Sequence, residues 1–204
     1  YTREDLISYI LGKELSGGGW SLDDKSSLDL DITSMIVYAL APHAAEDAKV
    51  KEAVNRGLDV LRSKISTDGD YNYGRTYNCE SVAQAIMAFT SMGIDPATVT
   101  NASSGKSLLD GLLKYYSTKT GGFLHAYYDD ENQNRPNSMA TDQAMEAIAA
   151  YRLYQQGINL FDFRAYANTT QYVAQADNGN VFTADAGTET DLYVGADVKK
   201  LTFT

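Results

Sequence analysis

The chain has 204 residues, 44% hydrophobic and 22% charged, with a formal net charge of −10. That composition suits one globular core of ordinary size, and no apolar run approaches the roughly 18 residues needed to cross a bilayer. The acidic balance, broken by no Lys/Arg cluster, opposes polyanions, so nucleic acid and anionic membrane surfaces are not expected partners. A single cysteine, Cys79, excludes an internal disulfide, and with only two histidines beside it a Cys/His zinc cage is not expected. The opening Tyr1-Thr2-Arg3-Glu4-Asp5, with neither initiator methionine nor signal peptide, reads as a segment of something longer.

Along the chain one pattern recurs three times: an apolar helical stretch, a glycine-plus-aromatic turn, and a second apolar helix opened by an acid. Thr2 can cap a first helix, with Glu4 and Asp5 at its positive end and Leu6, Ile7, Ile10 and Leu11 as its stripe. Gly17-Gly18-Gly19 stops it, and a partner helix runs over 31 to 41, ended by Pro42. The second pair spans 45 to 65, amphipathic through Val50, Val54, Leu58 and Leu61, and 79 to 92, closed by Gly93. The third joins 107 to 116 with an alanine-rich helix over 139 to 156, closed by Gly157. The turn aromatics Trp20, Tyr71 and Phe123 stand 51 and 52 residues apart, a period that means stacked helical hairpins. The acids Asp31, Glu80 and Asp142 are 49 and 62 apart, which places an insertion in the third repeat.

The fold expected is all-α: a right-handed arc of three α-hairpins, a partial α/α toroid, over residues 1–163. Its helices at 31 to 41, 79 to 92 and 139 to 156 form a buried inner layer, because they are apolar almost all round. Beyond Phe163 the period shortens to alternating runs, Gln171-Tyr172-Val173, Asn180 to Thr183, Asp191 to Val194 and Leu201 to Thr204, with turn signals between. Residues 164–204 therefore read as a β extension or the start of a further module. The sequons at Asn101 and Asn168 read as chance matches.

The helix, glycine-aromatic turn and acid-opened inner helix resemble the terpenoid cyclase and protein prenyltransferase α/α-toroid superfamily. More closely, Asp29-Leu30-Asp31-Ile32-Thr33-Ser34-Met35, Asn78-Cys79-Glu80-Ser81-Val82-Ala83-Gln84-Ala85-Ile86 and Ser107 to Tyr116 look like the prenyltransferase-like domains of Gram-positive surface proteins. That group is similar in turn to the helical domain of the cobalamin carriers intrinsic factor and transcobalamin. The resemblance covers residues 3 to 163. It implies a secreted or cell-surface bacterial protein and a ring of six hairpins, of which this chain shows three, so missing repeats or a second copy would complete it.

In such a ring the inner-helix N-termini face the cavity mouth, which would gather Asp29, Asp31, Glu80 and Asp142 on one rim. The related cyclases carry Asp-x-Asp-Asp-Thr, whose middle acid protonates an alkene; Asp31 matches that acid, but Ile32 replaces its neighbour. The zinc ligands of the prenyltransferases would fall near Asn78-Cys79 without a convincing histidine. Dipole and N–H stabilisation of helix starts accounts for the acids without catalysis. Tyrosine is enriched, at 15 residues, and Tyr73, Tyr77, Tyr127 and Tyr128, with His125, could edge the same rim with apolar area carrying polar tips.

The acidic run Asp129 to Asn134 lacks the glycine and terminal Glu of a calcium loop and reads as solvated. No phosphate loop, nucleophile elbow or dinucleotide fingerprint occurs, and no cofactor is expected. The expected function is a non-enzymatic binding or spacer module whose partner is a small molecule, glycan or peptide. The alternatives are an isoprenoid cyclase or transferase with Asp31 as general acid and a corrinoid carrier, the last lacking a second domain to close over its ligand.

Overall fold

The computed structural model describes residues 1–23, 27–73, 76–127 and 135–162, together with strands at 171–176, 181–185 and 201–203. The chain divides into two units, Tyr1–Phe161 and Asp162–Thr204.

Among the described residues of the first unit there are six α-helices, and each starts on a side-chain cap. Helix α1 (Arg3–Leu11) has the capping box of Thr2 and Asp5, and α2 (Leu30–Leu40) starts at Asp29, whose side chain accepts from the Ile32 N–H. Asp47 caps α3 (Ala48–Ser63) and Asn78 caps α4 (Cys79–Ser91). A second box, Ser107 with Asp110, opens α5 (Leu108–Lys114), and Asn137 caps α6 (Ser138–Tyr154). Such caps satisfy N–H groups that the helix itself leaves without partners. Pro42 ends α2 by turning the chain into a short 3₁₀ segment, Ala41–His43.

Helix α4 is the centre of the unit. It packs between α2 and α6, while α3 packs on α2 and α5 on α4. All thirteen of its residues are buried, the environment its apolar sequence requires. The expected inner layer is therefore fully buried only here. Five residues of α2 and four alanines of α6, Ala140, Ala144, Ala147 and Ala150, are buried, because each of these helices has one inner neighbour rather than two.

The glycine turns are tied into the helices by a repeated device. The Trp20 N–H donates to Thr33 Oγ1 at 2.9 Å, and the Phe123 N–H to Thr141 Oγ1 at 2.8 Å. Each threonine stands one turn into its inner helix, and the glycine before each aromatic has positive φ, a conformation that a side chain resists. In the second turn Asp70 replaces that glycine and is fully buried. It accepts from Ser66 Oγ, from Tyr115 Oη at 3.1 Å and from Lys114 Nζ at 3.0 Å. A short antiparallel pair, β1 (Asn72–Tyr73) with β2 (Thr76–Tyr77), follows it.

After α6 the chain turns at Gly157 and runs back along the first unit. Asn159 Nδ2 donates to the Ser91 carbonyl at 2.9 Å, and the Phe161 ring stacks on Tyr38 at 4.2 Å. In the second unit β3 (Gln171–Ala176) is flanked by β4 (Val181–Asp185) and β5 (Leu201–Phe203) in an antiparallel sheet of order β4-β3-β5. The strand expected at 191 to 194 and the acidic run 129 to 134 lie outside the described residues.

Candidate functional site

The start of α4 brings several of the sequence candidates together. Glu80 is in its first turn, 5% exposed, and both carboxylate oxygens lie 2.9 Å from His125 Nδ1. His125 is fixed by its backbone as well, since its carbonyl accepts the Cys79 N–H at 2.9 Å. Two bonds thus hold the strand after the third turn against the second inner helix. The His125 side chain stays 40% exposed.

Asp31 is the neighbour of this pair. Burial pushes its carboxyl above the usual range, the charges of Asp29 and Glu80 push the same way, and the Ser81 hydroxyl opposes them. Its Oδ1 is buried and has no hydrogen-bond partner. Asp29 itself is committed to capping, with Oδ1 accepting from the Ile32 N–H at 2.9 Å.

Asp142 does not join them. The caps Asp29, Asn78 and Asn137 set the register of the inner helices, and in it Met139, not Asp142, corresponds to Asp31 and Glu80. The first turn of α6 carries no acid, and Asp142 is exposed one turn further along. Matching acids by residue type alone concealed this, because the inserted residues before α6 change the spacing.

The tyrosines gather around a lysine that sequence reasoning passed over. Lys114 Nζ lies 5.3 Å from the Tyr77 ring centre, 5.5 Å from that of Tyr127 and 6.0 Å from that of Tyr115. Asp68 at 2.7 Å and Asp70 at 3.0 Å complete its surroundings. Burial pulls the ammonium down, but the two carboxylates outweigh it and hold Lys114 above its ordinary value. Tyr77 and Tyr127 keep an exposed edge. The signal that could have found this cluster is Asp70, the residue that breaks the Gly-Gly-aromatic pattern of the other turns. Tyr73 contributes backbone to β1, and its side chain, like the whole of Tyr128, lies outside the described residues.

Below the rim a polar chain crosses the three inner helices. Tyr38 Oη donates to Gln84 Oε1 at 3.1 Å, and Gln84 Nε2 donates to Gln143 Oε1 at 2.9 Å. Burial, and then the charge of Glu146, raise the Tyr38 hydroxyl.

Cys79 belongs to the core. Its thiol is pushed up to about 12 by burial and then by Glu80, and Sγ lies 3.9 Å from the Ala140 carbonyl. Among the described residues no group of three or more His, Cys, Asp or Glu side chains is arranged to hold a metal ion. Nor does any described helix have the length and apolarity to cross a membrane. A cavity of about 530 Å³ lies beside α1 and the first turn, lined by Tyr9, Ile10, Trp20, Leu22 and Ile36 among others. Comparison with family models, curated proteins and solved structures finds no match to this chain.

Proposed function

We propose that the first unit is an arc of the α/α-toroid type, and that its rim at the start of α4 is the recognition surface of a non-enzymatic module in a secreted or cell-surface bacterial protein. The observation that carries the binding reading is the pairing of Glu80 with a half-exposed His125, beside an Asp31 oxygen that has no partner. An acceptor held rigidly without a donor favours a ligand that brings one, a hydroxyl or ammonium group. Tyr77 and Tyr127 add exposed apolar edges nearby, so a glycan or a peptide with a basic side chain fits the chemistry best.

Calorimetric titration of the full chain with oligosaccharides and with lysine-containing peptides tests this. Saturable binding by one class is expected, weakened at least about tenfold by Asp31→Asn and by Tyr127→Ala while the thermal melt stays cooperative. Absence of saturable binding to either class would leave the module as a spacer.

The raised Asp31 carboxyl favours one other reading, a general acid acting on an isoprenoid. Product formation from a prenyl diphosphate or squalene, abolished in Asp31→Asn, would put that reading first.

A further inference from the structure

Positions that the register of the hairpins buries in the first two are bare in the third. The inner-helix caps align Val37 of α2 with Ile86 of α4 and Met145 of α6, and likewise Leu40 with Phe89 and Ile148. Val37, Leu40, Ile86 and Phe89 are at most 2% exposed, whereas Met145 is 54% and Ile148 38% exposed. Val37 meets the next outer helix directly, through Gly57 of α3, and each of α2 and α4 also has a further inner helix beside it. Helix α3 packs on α2 and α5 on α4, and among the described residues no helix follows α6.

The turns repeat the contrast. A Cβ on Gly18 would lie 3.2 Å from Arg56 and 3.3 Å from Val60 of α3, and one on Gly69 would fall on the Ser107 backbone at the start of α5. Gly121, the third of the set, has nothing within 4 Å.

The missing surface is present at the other end of the same molecule. The turn hydrogen bonds Leu15 N–H to Gly19, Ser66 N–H to Asp70 and Ser117 N–H to Gly122 set the register of the outer helices. In it Leu6 of α1 corresponds to Gly57 of α3, and Tyr9 to Val60. Gly57 is the residue that meets Val37, with a Cβ there 3.0 Å from Val37 Cγ2, and Val60 is the one that meets Gly18. Leu6 and Tyr9 are 54% and 64% exposed, and α1 buries none of its residues. Leu6 is thus to Met145 what Gly57 is to Val37, and Tyr9 is to Gly121 what Val60 is to Gly18.

We propose that a second copy of this chain covers α6, presenting its α1 where an outer helix would follow, so that copies associate head to tail. Charge agrees with this docking. Helix α1 opens with Arg3, Glu4 and Asp5, the last engaged in the capping box, and α6 ends near Arg152; Glu4 and Arg152 come to the same end if α1 lies antiparallel to α6, as a short hairpin connection requires of α3 on α2. The contact differs in its two halves, so it repeats into a ring or a filament rather than closing as a symmetric pair. It is independent of the rim reading, since none of these residues belongs to the rim.

Sedimentation velocity of the full chain from about 10 μM to about 1 mM covers the range expected of a contact this small. The mean mass should rise with concentration beyond that of a dimer. Met145→Glu and Leu6→Glu, both at exposed positions, should each weaken association at least about tenfold with an unchanged circular dichroism spectrum; Ile148→Glu serves if Met145→Glu fails to fold. An equimolar mixture of Met145→Glu and Leu6→Glu should associate again but stop at the dimer, where the one intact α6 face meets the one intact α1 face. A wild-type chain that stays monomeric, a Leu6→Glu chain that associates as the wild type does, or a mixture that stays monomeric would overturn the proposal.

Discussion

Asp31 and Asp70 are both drawn into the fold, and their surroundings treat them oppositely. Asp70 has a partner for each oxygen, from Ser66, Tyr115 and Lys114, so its burial is compensated. Asp31 has a bare Oδ1, and burial first and its two acidic neighbours second hold its carboxyl above the ordinary value of 3.8. A raised carboxyl keeps its proton more tightly in the folded chain than in the unfolded one. The stability it supplies is therefore fully present below pH 3.8 and is lost as pH rises through the raised value. Asp31→Asn, which cannot ionise, should stabilise the protein at pH 7, and the gain should fade as the pH falls through the raised value and be gone below 3.8. Urea unfolding of both proteins across that range measures it; an equal difference at every pH would show that ionisation of Asp31 does not matter to folding.

At the scale of elements, the helices were legible because two independent signals agreed, apolar periodicity and the repeated turn, while the caps of the inner helices stand two residues before the positions where acids were expected to stabilise the first two of them. Asp29, Asn78 and Asn137 stand as caps just before the expected inner helices, and α2, α4 and α6 follow them closely. What was not legible depended on contacts between repeats. Lys114 reads as an ordinary helix-end lysine until α5 is laid against the second turn, and Asp142 reads as a rim acid until Asn137 fixes the register. That docking of α5 has a specific requirement. Gly111 abuts the backbone of the turn, and a Cβ there would fall on the Gly69 carbonyl and lie 2.8 Å from the Asp70 nitrogen. Backbone cannot swing aside as a side chain can, so Gly111→Ala should cost roughly 2 to 4 kcal/mol. It should also move Lys114 away from Asp70, visible as a changed Tyr127 ring environment by NMR. Gly93→Ala, where nothing lies within 4 Å but φ is +71°, isolates the backbone penalty alone and should cost about 1 kcal/mol. Equal losses in the two variants would mean that the close approach at Gly111 contributes nothing.

Over the whole first unit, burial runs from complete at α4 to absent at α1, and stability should follow it. Each helix is held by its neighbours: α4 has α2, α6 and α5 upon it, whereas α1 buries no residue and leans on the rest through Ile7, Ile10 and Leu11. Local opening costs little where few apolar contacts are lost. The polar chain Tyr38-Gln84-Gln143 works in the other direction, since opening α2 or α6 alone breaks a hydrogen bond to α4 as well as packing. Native-state hydrogen exchange of the dilute protein should therefore find the amides of α4 the slowest, those of α2 and α6 intermediate, and those of α1 the fastest. Exchange from α1 as slow as from α4 would defeat this ranking. Raising the concentration separates the ranking from association, because a second copy seated on α6 through its own α1 should slow exchange in those two helices and leave α4, already fully covered, unchanged.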